Sequence, residues 1–457
     1  MAGGDRASRR KHDGRPNAAV DYTQLDFRSG GGVPRGGNAV HSLNSVDVGA
    51  QYGRAAPLRV SIPVFAGPAD ASVREHETRD HLAIGAALAG ISLVCRRGRG
   101  RGEPGVEIDS QGKVISAPAF DGRIEDFRRY HRGLGEILVQ VGAGEFRLGM
   151  PEYLRRQHAV EGIELVWGET ACPGPLKVGS LCEALDLKGR GHTVTPDPED
   201  PVIQAAHRGG IIRDFQLHRR SEFTDEKELL LQCRALRGLG YQRITLAAHA
   251  ADLVELALLL KWSSRAGIDL VTISGDAALQ GVSLHAAAHE FCERLHSRGE
   301  PVPDLAFSGG FCEEGQILKA LALSAPFGRA VRISRALRIP SAVGERLTRW
   351  MNNGGLPKSV RRHGSAPEEI FACWEEVADL VGRREIAKIP LGAIGIYSYV
   401  RSLAAGLHDR LAAARRFRVA SLRRSDLVSL TPQCAAATGI PHFMDADRDR
   451  AEAILAE

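Results

Sequence analysis

The sequence predicts an α/β protein: a (β/α)8 TIM-type barrel with an N-terminal extension and a C-terminal helical region. Three observations predict it. From residue 226 onward, helical and strand periodicities alternate with short linkers, the rhythm of a parallel sheet. With that many repeats a closed barrel is favoured over an open doubly wound sheet, and no GxGxxG follows the first strand, which counts against a dinucleotide-binding domain. The chain also has 51 glycines in 457 residues and only 5% aromatics, a composition for closely packed α/β structure rather than an all-β sandwich.

The elements follow in order. Leu58 to Phe65 reads as a strand, and helical periodicity runs through His81–Gly90. Ile91–Val94, Ile137–Gln140 and Ile163–Trp167 are the next strands. Glu226–Leu239 reads as a helix, capped by Thr224, acidic in its first turn and closed by Gly238 and Gly240. Then come strand Arg243–Ala247, helix Asp252–Lys261, strand Leu270–Ser274 and helix Leu284–Ser297. Strand Leu305–Ser308, helix Gln316–Leu323 and strand Ala330–Ser334 complete the run. The organisation expected is a flexible basic tail over 1–40 and an N-terminal part over 41–150 that packs on and contributes to the barrel. The barrel proper covers 151–349, and a C-terminal helical region covers 350–457. Residues 350–367 read as a basic, solvated excursion.

Charge and cysteine usage exclude several classes. A net charge of +5 is too near balance for a dedicated nucleic-acid binder. No run of about 18 apolar residues exists, so no membrane span is expected. The basic N-terminus has no apolar stretch after it and does not read as a secretory signal. The eight cysteines are scattered without CxxC pairs, which predicts no metal site, no iron–sulfur cluster and a reducing cytoplasm.

The candidate chemistry lies at strand ends. Ser308, Gly309 and Gly310 sit where a seventh barrel strand would end, and Ser334 and Arg335 where an eighth would. Loops after these two strands form the usual phosphate seat of such barrels, and adjacent glycines let backbone N–H groups approach a phosphate. Ser274-Gly275 ends another strand, and Glu169 with Cys172 would face the same mouth. His285 and His289 share one helix face without the HExxH order, and an exposed face is the expectation.

The chain also resembles the FMN-binding glutamate synthase family, over about residues 47 to 457. The resemblance rests on Ile62-Pro-Val64, Gly85-Ala-Ala87, Gln140-Val-Gly-Ala-Gly144, Ala171-Cys-Pro-Gly174 and Val271-Thr-Ile-Ser-Gly275. It continues through Ser308-Gly-Gly-Phe311, Lys319 to Pro326, Ile389 to Tyr397 and Thr438-Gly-Ile-Pro441. It implies a barrel holding FMN that aminates a small 2-oxo acid through an imino acid, with ammonia supplied by a glutamine amidotransferase-type partner. The cofactor residues it implies are Gln140, Ser274, Gly275, Ser308, Gly309, Gly310, Ser334 and Arg335.

Its substrate positions depart from the pattern. The family's Asn-[Ser/Thr]-Gly-Glu-Gly-Gly loop is Val94 to Arg99, with Arg97 in place of a carboxylate. The Gln-Gly-Ala-Lys-Pro-Gly loop is Glu169 to Gly174, with Cys172 in place of a lysine. The lysine on the next barrel strand reads Thr245, and the double glycine after Ser274-Gly275 is gone. Losing two lysines removes positive charge where a dianionic substrate and reduced flavin need it. The alternative expectation is therefore a degenerate, non-catalytic subunit of a glutamate or N-methylglutamate synthase-type complex.

Overall fold

The structure is a computed structural model. It describes residues 20–28, 45–54, 56–68, 79–96, 106–167, 176–189, 193–218, 225–250, 252–275 and 281–456. Eight parallel strands close into a barrel: β1 (Val64–Ala66), β2 (Ser92–Cys95), β3 (Ile137–Val141), β4 (Gly162–Trp167), β5 (Arg243–Ala250), β6 (Leu270–Gly275), β7 (Asp304–Ser308) and β8 (Gly328–Ile333). Closure occurs where β8 pairs with β1, Arg332 opposite Phe65. A helix follows each strand: α1 (Arg79–Ala89), α2 (Pro118–Tyr130), α3 (Met150–His158), α4 (Glu226–Gly238), α5 (Leu253–Ala266), α6 (Val282–Ser297), α7 (Glu314–Leu323) and α8 (Arg335–Asn352). The barrel fold expected from the alternation is thus present, with Ser308 and Ser334 at the ends of the seventh and eighth strands. Three of the eight strands fall within 41–150.

Aliphatic side chains on the outward strand faces pack against the helices in one continuous core. Caps start the helices where the sequence supplies them. Asp225, and not the expected Thr224, caps α4 by accepting from the Glu228 amide, and Asp252 caps α5 by accepting from Glu255. The C-terminal helix α9 (Leu391–Ala413) lies against α1 and α8 through a seam of small residues. A Cβ on Gly344 would sit 2.4 Å from the Gly392 nitrogen, so the two helices can approach this closely only with glycine there.

Four local expectations change. Leu58 to Phe65 is two strands, because the bend at Ser61–Pro63 separates β1 from Leu58–Val60. Leu58–Val60 pairs antiparallel with Ala50–Tyr52 as a hairpin. Its Tyr52 ring meets the Phe65 ring edge-on at 4.7 Å, in a cluster with Leu270, Ala306 and Ala330 that plugs the N-terminal end of the barrel. Residues 176–218, between β4 and α4, hold a three-stranded antiparallel sheet with its own small core of Val178, Ala184, Val194 and Phe215. Within the expected tail, residues 20–28 are built into the fold. Leu25–Phe27 pairs with Leu427–Ser429, and Tyr22 packs on Phe311. Finally, the α6 histidines are not an exposed face: His285 is buried and bonded through Nδ1 to the Tyr22 hydroxyl. Burial lowers the His285 pKa to about 3.

Candidate functional site at the barrel mouth

Side chains alternate along a strand, so every second residue enters the barrel. On β8 these are Ala330 and Arg332, continued by Ser334; on β6, Leu270, Thr272 and Ser274. The plug covers the lower layer. The upper layer opens into a cleft at the C-terminal ends of the strands. Its described wall is Pro68, Arg96, Gln140, Ala247, Ala248, Thr272, Ser274, Ser308, Arg332 and Ser334. This end is where barrels of this type carry their active sites.

Arg332 is the centre of the floor. Its side chain is 7% exposed and crosses the lumen to Glu164 on β4, with which it forms an ion pair, while its Nη2 also donates to Thr272 Oγ1 at 3.1 Å. Gln140 Nε2 donates to the other Glu164 oxygen at 2.7 Å. Arg332 Nε is buried and has no partner. An unpaired N–H on a buried cation costs the full desolvation of that donor unless something binds it. Gly67, where β1 ends, makes room for this arrangement. A Cβ there would lie 2.3 Å from Ser334 Oγ and 2.7 Å from Arg332 Cγ. On the far side of the mouth, Ser274 Oγ donates to the Ala248 carbonyl at 3.1 Å, and His249 Nδ1 lies 3.4 Å from the same hydroxyl.

The upper rim has a second character. Gly309 and Gly310 are exposed, with φ of +140° and +69°, and a Cβ on either would meet nothing within 4 Å. Beside them, the N-terminus of the 18-residue α8 has no side-chain cap bond and no acidic residue in its first turn. Its free backbone N–H groups and its dipole favour an anion.

Of the expected site residues, Gln140, Ser274, Ser308 and Ser334 meet in the cleft wall. Gly309, Gly310 and Arg335 lie at the rim, and Gly275 ends β6 opposite Ala250. Arg335 does not line the cleft; it is the exposed first residue of α8. Thr245 is fully buried and its hydroxyl donates to the Ile163 carbonyl at 3.4 Å, a strand-to-strand contact below the cleft. Arg97, Glu169 and Cys172 lie outside the described residues. Arg332, Glu164 and His249 were not anticipated. An arginine next to the last residue of a barrel strand carries a signal only once its inward parity is known. Among the described residues no group of three His, Cys, Asp or Glu side chains is placed to hold a metal, and no helix is long and apolar enough to cross a membrane.

No protein-family profile matches this sequence, and no curated protein matches it. Solved structures do resemble it. The recombinant flavin-binding domain of baker's yeast flavocytochrome b2 has a TM-score of 0.51 at 11% identity, covering 93% of this chain and 81% of that one. A double mutant of flavocytochrome b2 with pyruvate bound has a TM-score of 0.51 at 12% identity, with the same coverage. At such identity the likeness shows the fold, a barrel of eight strands and helices. These likenesses do not themselves show the glutamate synthase resemblance.

Proposed function

We propose that the chain is an FMN-binding oxidoreductase that interconverts a small 2-oxo acid and its reduced counterpart in the barrel mouth. The observation that carries this reading is the juxtaposition of an anion-seeking rim after β7 and β8 with a polar cleft floored by an arginine that has a spare donor. The residues present fit FMN at its phosphate end. Gly309, Gly310 and the first amides of α8 offer unblocked N–H groups, and Arg335 adds a charge. The cleft below offers Gln140, Ser274 and Ser308 to a planar polar ring system. FMN, when bound, would supply the two-electron chemistry. This chain's own side chains would do the rest. Arg332 binds an anionic substrate, and the seryl hydroxyls orient it. His249 is the group placed to hold or accept a proton at Nδ1, next to Ser274. The flavin-binding and pyruvate-bound barrels that share the fold support the same reading.

The finer form of the proposal is a glutamate synthase-type reaction. A 2-oxo acid and ammonia form an imino acid, which takes up hydride to become the amino acid, with ammonia delivered by an amidotransferase-type partner. A second reading, a non-catalytic structural or regulatory subunit of such a complex, is favoured by two observations: Glu164 already neutralises Arg332, and Thr245 is closed off. The visible spectrum separates the two. The enzyme reading expects yellow protein with an oxidised-flavin band that bleaches with a reductant. Colourless protein that takes up no added FMN would leave only the subunit reading.

A further inference from the structure

We propose that the outer face of α5 docks a second copy of this chain, the two α5 helices lying antiparallel about a two-fold axis at Leu258. The proposal goes beyond the reading of the mouth and does not depend on it. A barrel helix needs one apolar stripe, the one that packs inward. On α5, Leu256, Leu259 and Leu260 form that stripe, with Ser263 and Ser264 buried in line with it. A second stripe stands in solvent. Val254, Ala257, Leu258 and Lys261 follow the helical spacing of three and four residues and are all exposed, Val254 at 67% and Leu258 at 39%. Leu253, 48% exposed, sits beside them. Arg265 Nη1 ties α5 to Glu226 of α4 at 2.8 Å, and α4 adds Leu231, 63% exposed. Single exposed leucines are ordinary, whereas aligned ones on one helix face mark a surface that another protein covers.

The charge pattern says what covers it. The acidic residues, Asp252 at the N-cap and Glu255 in the first turn, precede Leu258; the basic residues, Lys261 and Arg265, follow it. Glu255 and Lys261 stand at equal sequence distance from Leu258 on either side. A two-fold axis there sets the acidic half of each helix against the basic half of the other, Leu258 on Leu258, with the helix dipoles opposed. A parallel pairing would set like charge on like. Asp252 already caps the helix and Arg265 already holds Glu226, so the complementarity is one of the two halves' fields rather than of a dedicated ion pair. The helix has 14 residues, a length of about 21 Å, and such a face reaches the low end of interface sizes. The dimer expected is therefore reversible.

Sedimentation equilibrium of the full chain, from about 1 to about 100 μM, tests this. Wild type is expected to pass from monomer to dimer across that range. Leu258→Asp puts two like charges on the axis and is expected to stay monomeric, with its far-UV spectrum and thermal midpoint unchanged because the position is already in solvent. Lys261→Glu is exposed throughout and keeps the test open should Leu258→Asp fail to fold; it should weaken the dimer about tenfold. The Glu255→Lys/Lys261→Glu variant reverses the polarity but keeps the antiparallel match, and should recover most of that loss. The proposal is overturned if wild type stays monomeric throughout, or if folded Leu258→Asp associates as wild type does. It is equally overturned if Lys261→Glu leaves association unchanged, as a parallel pairing would.

Discussion

The two ends of the barrel each bury an arginine against a glutamate, and only one of those arginines is finished. At the N-terminal end, Arg243 Nε donates to both Glu136 oxygens at 2.8 and 2.9 Å, Nη2 reaches Glu161 at 3.1 Å, and Nη1 reaches the Ala56 carbonyl at 3.3 Å. Glu136 also accepts from the Tyr52 hydroxyl of the plug at 2.9 Å. Burial pushes the Glu136 carboxyl up, and the adjacent Arg243 charge pulls it down, with burial the larger influence. At the mouth, Arg332 makes its pair with Glu164 and its bond to Thr272, and leaves its buried Nε without a partner beneath the cleft that its side chain lines. A saturated buried pair fixes structure, and one with a spare donor beside a cleft is placed to bind.

The comparison can be broken from either end. The largest effect belongs to Glu136→Ala. It strands the buried Arg243 and is expected to cost about 3–5 kcal/mol in denaturant unfolding, with ligand binding at the mouth unchanged in the folded protein. Gly67→Ala is next. The added methyl must displace Ser334 or Arg332, at about 1–3 kcal/mol, and carboxylate affinity should fall more than stability does. If Gly67→Ala destabilised the chain while leaving binding intact, Arg332 would belong with Arg243 as a structural group.

Smaller effects sharpen the same contrast. Tyr22→Phe removes the partner of the buried His285 and should cost about 1–2 kcal/mol, without touching the cleft. His285 also sets a pH dependence. Its folded pKa of about 3 lies below the unfolded value near 6.5, so the unfolded chain binds the extra proton between those limits. Stability contributed by the neutral ring is present above about pH 6.5 and is lost as pH falls toward 3. His285→Gln should flatten that part of the unfolding-versus-pH curve. The smallest effect is expected for the Arg332→Gln/Glu164→Gln pair, within about 1 kcal/mol of wild-type stability, because no charge is left alone.

Much of this was legible in the sequence. The alternation after residue 226 gave four strands and their helices to within a few residues, and the strand-end glycines and serines led to the mouth. What stayed hidden depends on long-range closure. Val64–Ala66 is only three residues long, and its place as the first barrel strand follows from pairing with β8 nearly 270 positions later. Residues 20–28 look solvated by composition, yet they are held by a strand partner at 427–429 and by His285. Arg332 and Glu164 are 168 residues apart, and their meeting follows from the inward parity of opposite strands, which no local pattern reports. Thr245, by contrast, was placed by resemblance, and its burial beneath the cleft depends on strand parity that no local pattern reports.

The central claim, that the rim after β7 and β8 seats a flavin phosphate above the Arg332 cleft, is tested most directly by fluorescence titration of FMN. The wild-type chain and a Gly309→Ala/Gly310→Ala variant would be compared. The account predicts saturable one-to-one quenching by wild type, and affinity weakened about tenfold or more when side chains and φ strain are imposed on the glycine pair. FMN fluorescence that stays unchanged in excess protein, or equal affinity in the two chains, would contradict it.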